Sequence, residues 1–163
     1  MQDRPISDRE GGAMDEQAYR MLAEYNGSTK RLDEVYRQAA KCFTLPECAF
    51  WILYTLRIEP RSFTQTDICD FLYSPKQTVN SALKKLERDG YIAFSAGNDQ
   101  RSKKISLTER GKALAVETVD KIINAEAAAL QQMPQNDREA LIRTTSEYCT
   151  LLKTQLQTLE RKG

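Results

Sequence analysis

Histidine is absent from this chain of 163 residues, and its four cysteines never occur as a Cys-x-x-Cys pair. Tetrahedral zinc sites draw their ligands from these residue types, so the sequence indicates no metal site. The chain also lacks a glycine-rich phosphate loop and a nucleophile elbow, and without histidine it shows no assembly for acid–base or covalent catalysis. We therefore expect neither an enzyme nor a bound cofactor.

Long hydrophobic runs are missing as well. The longest run, Cys48 to Tyr54, is far shorter than the ~18 or more residues that a membrane span requires. The first residues lack the apolar core of a signal peptide, and the cysteines do not form a disulfide framework. A soluble protein in a reducing, cytoplasmic setting with no membrane partner is expected, with Cys42 and Cys48 buried and inert.

Charge of either sign is nearly balanced, since the net charge is +1. A globally basic protein is thereby excluded, and any nucleic-acid surface must come from local segregation of charge. Such segregation exists, because seven basic residues stand against three acidic ones between Ser74 and Lys104, a net of +4.

Apolar residues at three- to four-residue spacing predict a mainly helical chain after a polar, flexible tail at residues 1–13. One long helix is predicted from Asp15 to about Lys41. The Thr44-x-x-Glu47 pattern predicts a capping box that opens a second helix through Leu56. Thr64 is expected to cap a short third helix whose inward side consists of Ile68, Cys69, Phe71 and Leu72.

The strongest helix start lies at Ser74, where serine is a suitable cap and Pro75 suits the first helical position. Gly90 is placed to end this helix in the left-handed conformation. Thr108 then predicts a helix to about Met133, which Pro134 breaks. A last helix is predicted from Asn136, and one of its faces should pack against a partner helix. That stripe consists of Leu141, Thr145, Tyr148, Leu152, Leu156 and Leu159.

Between these helices, residues 91–95 and 104–107 alternate apolar and polar side chains, and Gly97-Asn98 supplies hairpin-turn chemistry. Two short helices followed by a hairpin form the winged helix-turn-helix arrangement, whose second helix lies in the major groove. At the tip, Arg101 would enter the minor groove, Asp99 would brace it or shape the turn, and Lys103 and Lys104 would contact phosphates.

The helix after Ser74 has two distinct faces. The predicted inward face consists of Val79, Ala82, Leu83 and Leu86. The outer face mixes cations for phosphates with amide and hydroxyl groups for base edges, and its members are Lys76, Gln77, Asn80, Ser81, Lys84 and Arg88. For this helix alone an ordinary solvated face is an equally good interpretation, and the hairpin shifts the balance toward DNA.

An ordered string links the hairpin to the following helix: Asp99-x-Arg101, Ile105-x-Leu107-Thr108 and Gly111. This string, together with Leu86 to Ile92, resembles the multiple antibiotic resistance regulator (MarR) family of bacterial transcription factors. Gln100 and Phe94 depart from the pattern, since many members carry arginine at both positions. Fewer wing cations imply a weaker grip on phosphates.

The resemblance implies a fold with a winged helix-turn-helix lobe at residues 44–108 and dimerisation helices at 14–43 and 109–163. It also implies a homodimer that binds double-stranded DNA at an inverted-repeat operator, more often as a repressor. A small aromatic effector is implied in a crevice near Tyr36, Trp51 and Tyr54, although core packing is the commoner role of such residues. The alternative function is a winged-helix protein-interaction module without DNA binding.

Overall fold

A computed structural model of the chain describes residues 16–59, 61–96 and 103–160. The predicted class, mainly α with a small β-hairpin, is confirmed. The elements in chain order are α1 (Glu16–Lys41), α2 (Glu47–Ile58), α3 (Gln65–Leu72), α4 (Lys76–Arg88), β1 (Ile92–Ala96), β2 (Lys103–Leu107), α5 (Glu109–Glu117), α6 (Val119–Gln132) and α7 (Gln135–Glu160). The predicted tail at 1–13 lies outside the described residues.

The capping box predicted at Thr44 is wrong. Helix α2 begins at Glu47, and the residue before it, Pro46, has an extended ψ of 142° and makes no side-chain cap. Proline disfavours the helical conformation of the residue before it, so Leu45 is a poor first helical residue after a Thr44 cap. The carbonyl of Pro46 instead accepts the first helical bond, from the Phe50 N–H at 2.9 Å.

The cap predicted at Thr64 is confirmed. Its hydroxyl accepts the N–H of Asp67 at 3.2 Å, and the Asp67 carboxylate accepts the Thr64 N–H at 2.7 Å. These bonds from Thr64 lower the pKa of Asp67 below its usual value. In α3, Ile68 is fully buried as expected, whereas Phe71 is exposed and meets Phe63 only edge-on, so its inward assignment was wrong.

Ser74 does not cap α4, which begins at Lys76 after Pro75. The Ser74 N–H donates to Cys69 O at 3.2 Å and its hydroxyl to Leu72 O at 3.1 Å, so the residue serves the end of α3. The predicted end of α4 is confirmed, because Gly90 has a φ of +76°. Its N–H donates to Glu87 O, a bond that closes the helix.

The hairpin pairs β1 with β2 in antiparallel register, from Ile92 opposite Leu107 to Ala96 opposite Lys103. A third segment joins it, since the Ile105 N–H donates to Phe63 O at 2.7 Å in a one-residue bridge. The wing is thereby attached to the segment just before α3. The predicted turn at Gly97 and Asn98 lies outside the described residues.

The single helix predicted from Thr108 to Met133 is two helices, α5 and α6, separated at Thr118. Thr118 has φ −128° and ψ −90°, and its hydroxyl donates to Leu114 O at 2.7 Å. A threonine hydroxyl that bonds to a carbonyl four residues back competes with the helical ladder and bends the chain. The apolar spacing continues through this break, which is why the pattern did not reveal it.

The hydrophobic core lies between α2, α3, α4, the hairpin and the α5–α6 segment. Its largest fully buried apolar side chains are Phe63, Ile52, Leu53, Ile68, Leu83, Ile92, Val79 and Val119. An Arg57–Asp120 ion pair, with 2.7 Å between Nε and Oδ1, joins α2 to α6. Among the described residues, no helix is both long and apolar enough to cross a membrane.

Candidate nucleic-acid interface

Helix α4 is fixed to the core along one side and open to solvent along the other. Val79, Leu83 and Leu86 are buried, and Ala82 packs partly against the same core. On the opposite side, Asn80 is half-buried and the other five predicted contact residues are exposed. These five are Lys76, Gln77, Ser81, Lys84 and Arg88. One rigid helix thus presents cations, an amide and a hydroxyl on a single face.

The charge on this face is mainly positive, although the exposed Glu87 lies between Lys76 and Asn80 around the helix. No acidic residue lies in the first turn of α4, while its last turn carries Lys85 and Arg88. Arg88 Nε lies 3.3 Å from Asp89 Oδ1, an exposed pair of the kind that contributes little to stability. A competing phosphate can therefore take over the Arg88 guanidinium at small cost.

Besides Glu87, two further exposed residues of α4, Thr78 and Lys85, were left out of the predicted outer face. At 100° per residue, both lie on the flank of the helix next to Ser81. The same angular spacing that selected Ser81 was the signal that would have included them. The outward face is therefore broader than predicted.

The wing brings two of its predicted contact residues to the open end of the hairpin. Lys103 is exposed in the last described pair, opposite Ala96, and Lys104 is half-buried opposite Ser95. The Lys103 Nζ lies 6.0 Å from the ring centroid of Phe94, so this aromatic residue lies beside a wing lysine. Asp99 and Arg101 lie outside the described residues, and their roles stay predictions.

The base of the wing is held by the Leu-Thr-x-x-Gly part of the motif. Thr108 accepts the Gly111 N–H at 3.0 Å and caps α5, as predicted. Its hydroxyl also donates to Gly90 O at 2.6 Å, which joins the end of α4 to the start of α5. A Cβ on Gly111 would lie 1.9 Å from Tyr91 O, so only glycine fits there.

The three predicted effector residues come together through aromatic contacts. Trp51 lies edge-on to both tyrosines, with centroid distances of 5.7 Å to Tyr36 and 5.3 Å to Tyr54. Both phenols donate to one carboxylate, that of Glu126, with Tyr36 Oη at 2.5 Å from Oε1. Burial and then the Glu126 bond raise the pKa of Tyr36 to about 12, and the same causes raise that of Tyr54 further.

A groove of about 760 Å³ adjoins this cluster between α1 and α2. Its lining is mixed in charge and apolar in part, and consists of Asp33, Tyr36, Arg37, Lys41, Phe43, Leu45, Glu47 and Trp51. Trp51 also lines a second groove of about 460 Å³ that reaches Thr78 on α4. Tyr54 lines neither of these two grooves, so only Tyr36 and Trp51 of the three predicted effector residues border a groove.

The long helices α1 and α7 expose apolar side chains along much of their length. On α1 these are Met21, Leu22, Tyr25, Leu32 and Val35. On α7 they are Leu141, Ile142, Leu151, Leu152, Leu156 and Leu159, which include most of the predicted stripe. Tyr25 and Tyr148 meet edge-on with 4.9 Å between their ring centroids, so α1 and α7 touch at this point.

The cysteines differ from one another in exposure. Cys48 is half-buried, and burial raises the pKa of its thiol, in line with an inert residue. Cys42 is exposed at the end of α1, with its Sγ 3.7 Å from Gln38 O, so its predicted burial was wrong. Cys42 is the first residue of the five-residue segment between α1 and α2.

Comparisons with known proteins point to one family. The MarR family model matches residues 43–102. The HTH-type transcriptional regulator YwoH of Bacillus subtilis (strain 168) is 27% identical over 121 residues, which cover 74% of this chain and 87% of that protein.

Two solved structures resemble this chain over most of its length. NMB1585, a MarR family regulator from Neisseria meningitidis, has a TM-score of 0.66 and 26% identity, covering 92% of this chain and 100% of its own. S. aureus MepR in a DNA-binding conformation has a TM-score of 0.68 and 22% identity, covering 78% of this chain and 98% of its own.

Proposed function

We propose that this chain, which belongs to the MarR family, is a cytoplasmic, sequence-specific transcriptional regulator that binds double-stranded DNA as a homodimer. In this proposal α4 lies in the major groove and the wing contacts the neighbouring backbone. The observation that carries it is the outward face of α4. There, cations for phosphates and polar groups for base edges share a helix that the core holds rigid.

The residues of this face divide into two roles. Lys76, Lys84 and Arg88 bind phosphates, and Lys103 and Lys104 do so from the wing, with Arg101 at its tip. Gln77, Asn80 and Ser81 reach base edges, where an amide pairs with adenine through two hydrogen bonds. Ser74, which ends α3, contributes a hydroxyl beside the first turn of α4.

Dimerisation is supported by the apolar faces of α1 and α7. Val35 is 61% exposed and Leu159 is 66% exposed. Exposing such apolar side chains to water is unfavourable, and in this proposal a second copy of the chain covers them. Two-fold symmetry then places two α4 helices on successive major grooves. The operator is accordingly an inverted repeat with half-sites about one helical turn apart.

Regulation is proposed to act through a small aromatic effector in the groove lined by Tyr36 and Trp51. A ligand changes DNA affinity only if it binds the two states of the dimer differently. The groove adjoins the contact between α1 and α2, so a ligand there is placed to favour one arrangement of the dimer arm and the DNA-binding lobe. Release of a repressor from its operator is the expected outcome.

The test is a fluorescence-anisotropy titration of the purified protein with duplex DNA from upstream of its own gene, at several salt concentrations. We expect affinity to fall steeply as salt rises, because bound lysine and arginine side chains release counterions from DNA. An unrelated duplex of equal length is the control and should bind more weakly. Undetectable or salt-insensitive binding would favour the alternative, a winged-helix protein-interaction module.

A further inference from the structure

Tyr73 joins α3 to α4 in a conformation that side chains other than glycine rarely adopt. Its φ is 48° and its ψ is 35°, and among the described residues it alone has a positive φ without being glycine. A Cβ in this left-handed region crowds the following carbonyl, so a tyrosine here destabilises the turn relative to glycine.

The chain contains an internal comparison for this position. Helix α4 ends with bonds from Gly90 N–H to Glu87 O and from Tyr91 N–H to Leu86 O. Helix α3 ends with the same pattern, from Tyr73 N–H to Asp70 O and from Ser74 N–H to Cys69 O. Glycine occupies the left-handed position in one helix end and Tyr73 occupies it in the other.

Packing within the chain does not compensate for this choice. The Tyr73 side chain is 96% exposed, so its ring gains almost no burial. A strained and exposed aromatic residue indicates a role that lies outside the fold itself. The position of the residue indicates which role.

Tyr73 lies three residues before Lys76, where α4 begins. In helix-turn-helix proteins the first turn of the second helix enters the groove, and the residues around the turn contact the flanking phosphates. A tyrosine hydroxyl is one of the neutral groups that donate to phosphate oxygens in such interfaces. The first turn of α4 carries no acidic residue that would repel a phosphate there.

We infer that Tyr73 is a DNA-contact residue whose hydroxyl donates to a backbone phosphate beside the first turn of α4. The inference rests on the proposed function and adds one contact to it. That contact explains why tyrosine stands at a position where glycine would suit the turn better. Because phosphate contacts are independent of sequence, Tyr73 contributes to affinity on every duplex.

The experiment compares wild type with Tyr73→Phe and Tyr73→Gly by anisotropy titration, on the upstream duplex and on the unrelated duplex. We expect Tyr73→Phe to weaken binding roughly tenfold on both duplexes, since a hydrogen bond to a charged group is lost. Tyr73→Gly should weaken binding at least as much. Its Tm should stay equal or rise by up to about 4 °C, because the strained turn is relieved.

Each result has a separate meaning. If wild type binds neither duplex, the proposed function fails and this inference fails with it. If wild type binds and Tyr73→Phe binds equally well, only the inference is overturned. A Tyr73→Phe protein that melts well below wild type would show that the hydroxyl stabilises the fold, and this too would overturn the inference.

Discussion

The Thr108 hydroxyl donates to the carbonyl oxygen of Gly90 at 2.6 Å while accepting the N–H of Gly111. One side chain thus caps α5 and joins it to the end of α4. The arrangement brings the backbone at Tyr91 so close to Gly111 that an added Cβ would meet the Tyr91 oxygen. The position of the wing relative to α4 depends on this contact.

Gly111→Ala should therefore lower the free energy of unfolding by about 2 kcal/mol or more, since backbone must move to admit the methyl group. Urea denaturation measures the change. The matched control is Gly27→Ala in α1, where the nearest atom to the new Cβ is a flexible arginine nitrogen at 3.9 Å. Replacing an interior helical glycine there should instead raise stability by about 0.5–1 kcal/mol. Equal effects at both positions would contradict the close approach.

Arg101→Ala and Lys84→Ala should each weaken DNA binding on all sequences and reduce the slope of log affinity against log salt by about one. Asn80→Ala or Gln77→Ala should mainly reduce the preference for the upstream duplex over the unrelated one. Lys121→Ala on α6 removes the same charge from a residue paired with Glu117 and is the control. Loss of the same size and kind in both classes would contradict these roles.

Leu152→Glu should convert the proposed dimer to a monomer, because it places a charge in the exposed apolar stripe of α7. Light scattering coupled to size-exclusion chromatography measures the mass, and DNA affinity should fall with it. Thr154→Glu introduces the same charge at an exposed position of the same helix and should leave the dimer intact. A monomeric wild type would contradict the proposed assembly.

The tyrosine pair at Glu126 should make the protein less stable at alkaline pH. Because folding raises the pKa of Tyr36 from 10.0 to about 12, its stabilising effect is complete below pH 10 and is lost as pH rises to about 12. The double variant Tyr36→Phe, Tyr54→Phe should lose this part of the pH dependence. Denaturant titrations across the alkaline range measure it, and Glu126→Gln should flatten the same decline by removing the charge.

Trp51 is the only tryptophan of the chain, so its fluorescence reports the proposed effector groove without interference. Titration with benzoate or phenol should change that fluorescence and, over the same concentrations, lower DNA affinity. Tyr36→Ala should shift both curves to higher ligand concentration. A fluorescence change with unaltered DNA binding would separate the groove from regulation.

Local rules predicted the features that depend on neighbours in sequence. Thr64 and Thr108 cap helices and Gly90 ends one, as their residue types indicate. The failures at Thr44 and Ser74 also have local causes. Pro46 moves the start of α2 away from Thr44, and Ser74 bonds to the end of α3 instead of capping α4. Where two local preferences competed, the sequence did not show which would prevail.

Features that join distant segments were not predictable from one sequence. Nothing in the pattern around Phe63 indicates a bridge to Ile105, because a single paired residue has no alternation to detect. Likewise, Glu126 resembles any other helical glutamate until Tyr36 and Tyr54 are placed beside it. Gly111 was recognised only as part of a motif, and the reason for it is the Tyr91 oxygen.

The Glu126 carboxylate accepts hydrogen bonds from phenols on two different helices, and these bonds set an energetic threshold for the proposed effector. A ligand that separates α1 from α2 must break at least one charge-assisted hydrogen bond, each of which contributes roughly 1.5–3 kcal/mol. Such a ligand therefore needs a preference of about tenfold to a hundredfold for the separated state before half the molecules respond. Weak, incidental aromatic binders fall below this level, so in the proposed regulation the two Glu126 bonds limit which molecules can release DNA.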